Sequence, residues 1–208
     1  MPLRYWLSLL ILLVVSMTPA HSADSDERFT LLVLGDSLTA GYGLDQADAF
    51  PARLEVALAE RGHEVRVMNA GVSGDTSAGG LRRLGWALAD NPDLVMIELG
   101  ANDALRGLDP EQTRDNLARI ITTLKQKNIK ILLAGMQAPR NLGAAYTTHF
   151  DRIYPELAEE FAIPLYPFFL EGVATDPFLN QADGIHPNRF GVDVIVSKII
   201  PTLEPLLP

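Results

Sequence analysis

The chain has 208 residues, 48% of them hydrophobic and 21% charged, which is enough apolar material for one domain with a sizeable core. Its formal charge of −9 opposes both a polyphosphate backbone and a polybasic grip on anionic lipid, so nucleic acid is excluded as a partner. It has no cysteine, which removes disulfides, thiolate catalysis and cysteine-ligated metal.

The first feature in chain order is a leader. Arg4 is the only charged side chain ahead of His21, Leu7 to Val15 are apolar apart from Ser8, and Ala20-His21-Ser22 forms a small-residue cleavage pattern. Residues 1–22 read as a secretory signal peptide, since the apolar block is too short to span a bilayer. The alternative is an uncleaved N-terminal anchor. The expected mature domain, 23–208, is then exported, periplasmic or secreted, with no stable membrane span after cleavage.

Five apolar runs follow, at Phe29–Leu34, Val65–Met68, Leu94–Leu99, Ile129–Leu133 and Ile163–Phe169. The first and third are nearly continuous, as in parallel strands buried on both faces. Arg66 in the second run and Pro164 and Pro167 in the fifth mark these two as edges. Helical patterns lie between and after them. Pro51 starts one that stops at Arg61-Gly62, and Thr76 caps one that halts at Asn91-Pro92. Asp109-Pro110-Glu111 opens a third. Phe150, Ile153, Tyr154, Leu157 and Phe161 mark a fourth, which Pro155 should kink or start late. Phe190, Val194, Ile195 and Ile199 mark the last, closed by Pro201. Such alternation predicts an α/β fold: a three-layer, doubly wound sandwich with a five-stranded parallel sheet, flavodoxin-like, whose chemistry lies beyond the carboxyl ends of the strands.

The segments at those ends carry the candidates. After the first strand comes Gly35-Asp36-Ser37-Leu38, where a serine on a glycine-flanked turn can expose its hydroxyl. P-loop and dinucleotide spacings both fail here, and an ordinary turn stays open. After the second comes Ser73-Gly74-Asp75. Ser73 is a rival nucleophile, but Asp75 stands where G-x-S-x-G needs glycine, and Gly74 suits a backbone oxyanion donor or a plain loop. After the third comes Gly100-Ala101-Asn102-Asp103, whose Asn102 is a neutral amide donor or a turn former. Glu98, buried in the strand before it, needs a partner and reads as structural. Near the end, Asp183 precedes His186 by three residues across Gly184, so the carboxylate can meet and orient the imidazole. A surface turn is the alternative. No His pairs with another His at ligand spacing, so neither metal nor cofactor is expected.

Taken in order, these four blocks resemble the SGNH (GDSL) hydrolase family, over about Thr30 to the end of the last helix. Within it the chain is most similar to the periplasmic thioesterase I/lysophospholipase/arylesterase branch, through GDSLTAGY at Gly35–Tyr42, SGDTS at Ser73–Ser77 and ELGAND at Glu98–Asp103. The resemblance implies a hydrolase of carboxylic esters and thioesters, with Ser37 as nucleophile, His186 as base and Asp183 as its orienting partner. Backbone N–H groups of Ser37 and Gly74 and the Asn102 side chain would form the oxyanion hole. It implies small acyl esters or thioesters, with lysophospholipids among them, as substrates, and a mobile acyl-binding loop at Ala104–Leu108. Candidate pocket walls are Leu105, Leu142, Phe168, Phe169 and Phe178, and a monomer is expected. Two other readings remain open on the same fold: a carbohydrate acetyl esterase and a non-catalytic exported binding protein.

Overall fold

The computed structural model describes residues 28–208, so the expected leader over 1–22 and the first residues of the expected domain lie outside it. Strands β1 (Phe29–Gly35), β2 (Val65–Gly71), β3 (Leu94–Glu98), β4 (Lys130–Ala134) and β5 (Leu165–Tyr166) pair in parallel. Their order is β2-β1-β3-β4-β5, the doubly wound flavodoxin-like arrangement. β1 and β3 are buried nearly throughout, which explains their unbroken apolar sequence. β2 and β5 are the edges, where Arg66 reaches solvent and the two prolines flank a strand of only two residues. Pro164 and Pro167 lack the N–H a longer ladder would use, so β5 is far shorter than its apolar run.

The helices are α1 (Ser37–Ala40), α2 (Phe50–Glu60), α3 (Ser77–Ala87), α4 (Ala101–Leu105), α5 (Pro110–Gln126), α6 (Ala144–Phe161) and α7 (Arg189–Leu203). α2 packs with α7, while α3, α5 and α6 pack in a row, so the sheet is covered on both faces. Several caps match the punctuation of the sequence: Thr76 Oγ1 accepts the Gly79 N–H, and Asp109 Oδ1 accepts the Glu111 N–H.

Three helical expectations differ from the structure. α6 starts at Ala144 and runs through Pro155 without interruption, because Phe150, Ile153, Tyr154 and Leu157 bury a full stripe that outweighs one missing hydrogen bond. α7 likewise passes through Pro201 to Leu203. Its buried face consists of Val192, Ile195, Val196, Ile199, Ile200 and Leu203, whereas Phe190 stands exposed. Finally, α1 and α4 are short helices where the sequence suggested only turns.

From β1 the chain goes out to β2 on one side, then crosses back over β1 to reach β3 on the other. The crevice at this reversal lies beyond the carboxyl ends of β1 and β3, so Gly35-Asp36-Ser37 and Gly100-Ala101-Asn102 meet there.

Candidate active site

The serine turn is built from beneath. A Cβ on Gly35 would lie 2.0 Å from Thr39 Oγ1 and 2.4 Å from Glu98 Oε2, so only glycine lets α1 start this close to β3. Asp36 caps α1, with Oδ1 accepting the Leu38 N–H at 3.0 Å. Ser37 is the first helical residue, so its own N–H has no partner within the helix. Its Oγ lies 2.9 Å from His186 Nε2.

His186 is held from the far side. Its Nδ1 lies 2.6 Å from Asp183 Oδ2, and Asp183 Oδ1 accepts the N–H groups of Ile185 at 2.9 Å and His186 at 3.0 Å. An acceptor at Nδ1 places the ring proton there and leaves the Nε2 lone pair facing the serine hydroxyl. The hydrogen bonds from the His186 backbone and ring, then from Ile185, pull the Asp183 carboxyl down to about 2. It is therefore a full anion wherever the imidazole works. Tyr42 lies against the ring on a third side, its centroid 4.6 Å away and its plane tilted by 37°.

The amide of Asn102 enters from α4, where Nδ2 donates to Asp36 Oδ2 at 3.0 Å. One of its two N–H bonds is thus committed, and the other is left for a ligand. The next residue, Asp103, is buried and locks α4 in place. Its Oδ2 accepts the Ser77 N–H at 2.8 Å, and its Oδ1 accepts the hydroxyls of Ser77 at 2.5 Å and Thr113 at 3.1 Å. Gly74 lies just before α3 with φ +80°, and Arg106 Nη2 donates to its carbonyl at 2.7 Å.

Below this layer are two carboxyls with no exposure, Asp36 and Glu98. Burial raises Asp36 to about 6, against the opposing effect of its Leu38 and Asn102 hydrogen bonds. Burial, followed by the neighbouring Asp36 charge, pushes Glu98 well above the usual carboxylate range. Glu98 Oε2 accepts the Thr39 hydroxyl at 2.6 Å and the Asp36 N–H at 3.3 Å, while its Oε1 is buried without a hydrogen-bond partner.

The structure thus brings together Ser37, Asp183, His186 and Asn102, with Gly74 on the adjoining loop. The rivals stand apart. Ser73 is exposed with no imidazole beside it, His63 faces Glu204 at 3.7 Å, and His149 pairs with Glu111 at 2.7 Å. The five candidate pocket residues differ in exposure. Leu105 ends α4 and is exposed, Phe178 is exposed in the β5–α7 connection, and Leu142 and Phe168 are half-buried. Phe169 is not a wall of an open pocket: it is fully buried, edge-on to Phe50 with centroids 4.9 Å apart, and belongs to the core. Its apolar character reads the same in either role, which is why sequence alone did not separate them.

A concavity of about 560 Å³ opens at the opposite end of the sheet, lined in part by Phe29, Leu88, Pro92 and Lys130. Its carboxylate, Asp93, is engaged by the Thr30 N–H, and it holds no nucleophile beside a base. Among the described residues no group of three or more His, Cys, Asp or Glu side chains converges as a metal site.

Sequence reasoning did not assign functions to Asp36, Tyr42 or Arg106. With only a turn expected after β1, Asp36 gave no signal as a helix cap, and its second partner lies 66 residues away. Tyr42 and Arg106 carried no local signal.

The model of the GDSL-like Lipase/Acylhydrolase family matches residues 33–194. Esterase TesA of Pseudomonas aeruginosa is 47% identical over 179 residues, covering 86% of this chain and 89% of that one. Thioesterase 1/protease 1/lysophospholipase L1 of Escherichia coli K12 is 42% identical over 205 residues, 98% of this chain and 94% of its own. Among solved structures, AlinE4, an SGNH-hydrolase family esterase, superposes with a TM-score of 0.74 at 50% identity, covering 88% of this chain and 98% of that one. With the serine–histidine pair placed at the reversal point of a flavodoxin-like sheet and the family pattern spanning most of its length, the chain belongs to the GDSL-like lipase/acylhydrolase (SGNH hydrolase) family.

Proposed function

We propose that this chain hydrolyses carboxylic esters and thioesters of small acyl substrates, lysophospholipids among them, through an acyl-enzyme on Ser37. One observation carries the reading: the hydroxyl of Ser37 lies 2.9 Å from an imidazole whose other nitrogen is held by a carboxylate. His186 Nε2 takes the Ser37 proton as Oγ attacks the carbonyl carbon. The oxyanion is received by the N–H groups of Ser37 and Gly74 and by the free N–H of Asn102. His186 then gives its proton to the departing alcohol or thiol, leaving an acyl-Ser37 ester. Water enters, loses a proton to Nε2, attacks the same carbon, and the acid leaves as Ser37 regains its proton. Asp183 stays ionised throughout and stabilises the imidazolium.

The acyl chain has apolar side chains to lie on at this rim. Tyr42, Val72 and Leu105 are exposed on the three segments that follow β1, β2 and β3. With Phe178, Leu142 and Phe168 they make the acyl-binding surface in this reading. The relatives named as an esterase and as a thioesterase/lysophospholipase support ester and thioester chemistry. Export follows from the leader over 1–22 in the same reading. N-terminal sequencing of the periplasmic fraction should find a chain starting near Ala23.

The test is hydrolysis of p-nitrophenyl esters and acyl-CoA by Ser37→Ala, with fluorophosphonate labelling of the unaltered enzyme. The substitution should lower kcat by roughly 10⁴–10⁶ with the fold kept, and the label should be found on Ser37. Near-normal turnover by Ser37→Ala would overturn the nucleophile. Absence of labelling together with absence of turnover would favour a binding protein. A rate profile that peaks at acetyl groups on glycans would displace the acyl-chain substrates.

A further inference from the structure

His186 and Ser37 come from segments 149 residues apart, and their mutual hydrogen bond cannot be what holds them in register. It is lost in every turnover: once Oγ is acylated it has no proton to donate, yet the imidazole must stay in place to activate water. Among the described residues, one other hydrogen bond links residues 36–45 to residues 180–187: Gln181 Nε2 donates to the carbonyl of Tyr42 at 2.7 Å.

Gln181 lies at the base of the catalytic turn. Its backbone N–H donates to the His186 carbonyl at 2.7 Å, and its own carbonyl accepts the Gly184 N–H at 3.0 Å, closing the turn on Asp183 and His186. The same side-chain nitrogen also donates to the Pro187 carbonyl at 3.0 Å. Both amide hydrogens are therefore used, one on each side of the gap. The opposite loop is shaped to receive the group. Gly43 has φ +75°, and a Cβ there would lie 2.2 Å from Gln181 Oε1. A side chain at position 43 would be strained by its backbone and would also displace the amide.

We propose that Gln181 is a positioning residue for the reaction: its carboxamide fastens the turn bearing Asp183 and His186 to the loop that follows Ser37, and so sets the reach of the imidazole through both acylation and deacylation. The assignment rests on the Ser37–His186 reading above.

The experiment compares Gln181→Met, of similar length but without donors, with the unaltered enzyme and with Ser37→Ala. Steady-state rates on a short p-nitrophenyl ester are normalised to active sites titrated with a fluorophosphonate. Per titrated site, kcat should fall about 10- to 100-fold, as misplacement of a catalytic group does, with KM changed less than about threefold. Gly43→Ala should show the same split, and the double variant should lose no more than the worse single one, since both act on one contact. A Gln181→Met enzyme with kcat per site within twofold of the unaltered enzyme would overturn the assignment. So would a loss of activity explained wholly by fewer titratable sites. Ser37→Ala separates the two failures: if it is inactive while Gln181→Met is normal, only the positioning role falls. If Ser37→Ala is active, the triad reading falls first.

Discussion

Asp36 sits at the bottom of the cleft with both oxygens occupied, one by the Leu38 N–H and one by the Asn102 amide. The first bond begins the helix that carries Ser37, and the second holds the amide proposed above as an oxyanion donor, so one carboxylate sets two parts of the site. Removing the donor itself, in Asn102→Ala, should lower kcat by roughly 10²–10³. Asp36→Asn leaves that donor present but replaces one acceptor oxygen with an NH2 group. Its kcat should fall less, by about 10-fold, and the thermal transition should show both variants folded. An Asp36→Asn enzyme with unaltered kcat would mean that the Asn102 amide needs no such anchor. The same carboxyl has a consequence for pH. Raised to about 6 by burial, it takes up a proton as pH falls through that value and loses acceptor capacity toward Asn102. The acid limb of log kcat/KM should therefore be shallower by one proton in Asp36→Asn than in the unaltered enzyme.

At the scale of elements, α4 is a five-residue helix that could not persist alone. Asp103 makes it rigid by accepting from the Ser77 backbone and hydroxyl at the start of α3 and from Thr113 on α5, and Asn116 Nδ2 donates to the Ser77 hydroxyl at 3.0 Å. Asp103→Ala strands these donors in a buried space. The expected cost is about 2–4 kcal/mol of stability, read from denaturant unfolding. In contrast to Asn102→Ala, its loss of activity should accompany a lower melting temperature. Unchanged stability would show that α4 is held by apolar packing instead. The end of α4 is a different matter. Leu105 to Leu108 are exposed, and the Arg106 guanidinium donates to the Gly74 carbonyl at the surface.

For the molecule as a whole, conditions that favour the fold and those that favour the chemistry diverge. A buried carboxyl raised to about 6 destabilises the folded state when ionised, so stability rises as pH falls from about 6 toward the unfolded value of 3.8. Glu98, raised well above 4.5 by the same burial, acts in the same sense. A formal charge of −9 also becomes less self-repelling as acids are protonated. Asp183 acts in the opposite sense. Held down at about 2, it stabilises the fold above pH 4 and that contribution disappears as pH drops through 2. Calorimetry between pH 3 and 8 should therefore find the highest melting temperature on the acid side of the activity optimum. Asp36→Asn should flatten the change between pH 4 and 6. Coincident optima would argue that these buried carboxyls are ionised at no cost.

The sequence by itself determined which stretches become strands, and which of these are edges, because burial on two faces demands unbroken apolar runs and prolines limit a ladder. It also determined the order of the four motif blocks, since each is a short stretch whose residue types suit one turn. The extent of α6 through Pro155, the exposed side of α7 and the burial of Phe169 were decided only in three dimensions. Periodicity reports that a residue is apolar, not which neighbour will cover it. The contacts that aim the chemistry, Asp36 to Asn102 across 66 residues and Gln181 to Tyr42 across 139, have no local signature. They exist because the winding of the sheet reverses at β1, from β2 on one side to β3 on the other, and the last loop returns to the same rim. That placement comes from the packing of helices on a twisted sheet, not from the order of the residues along it.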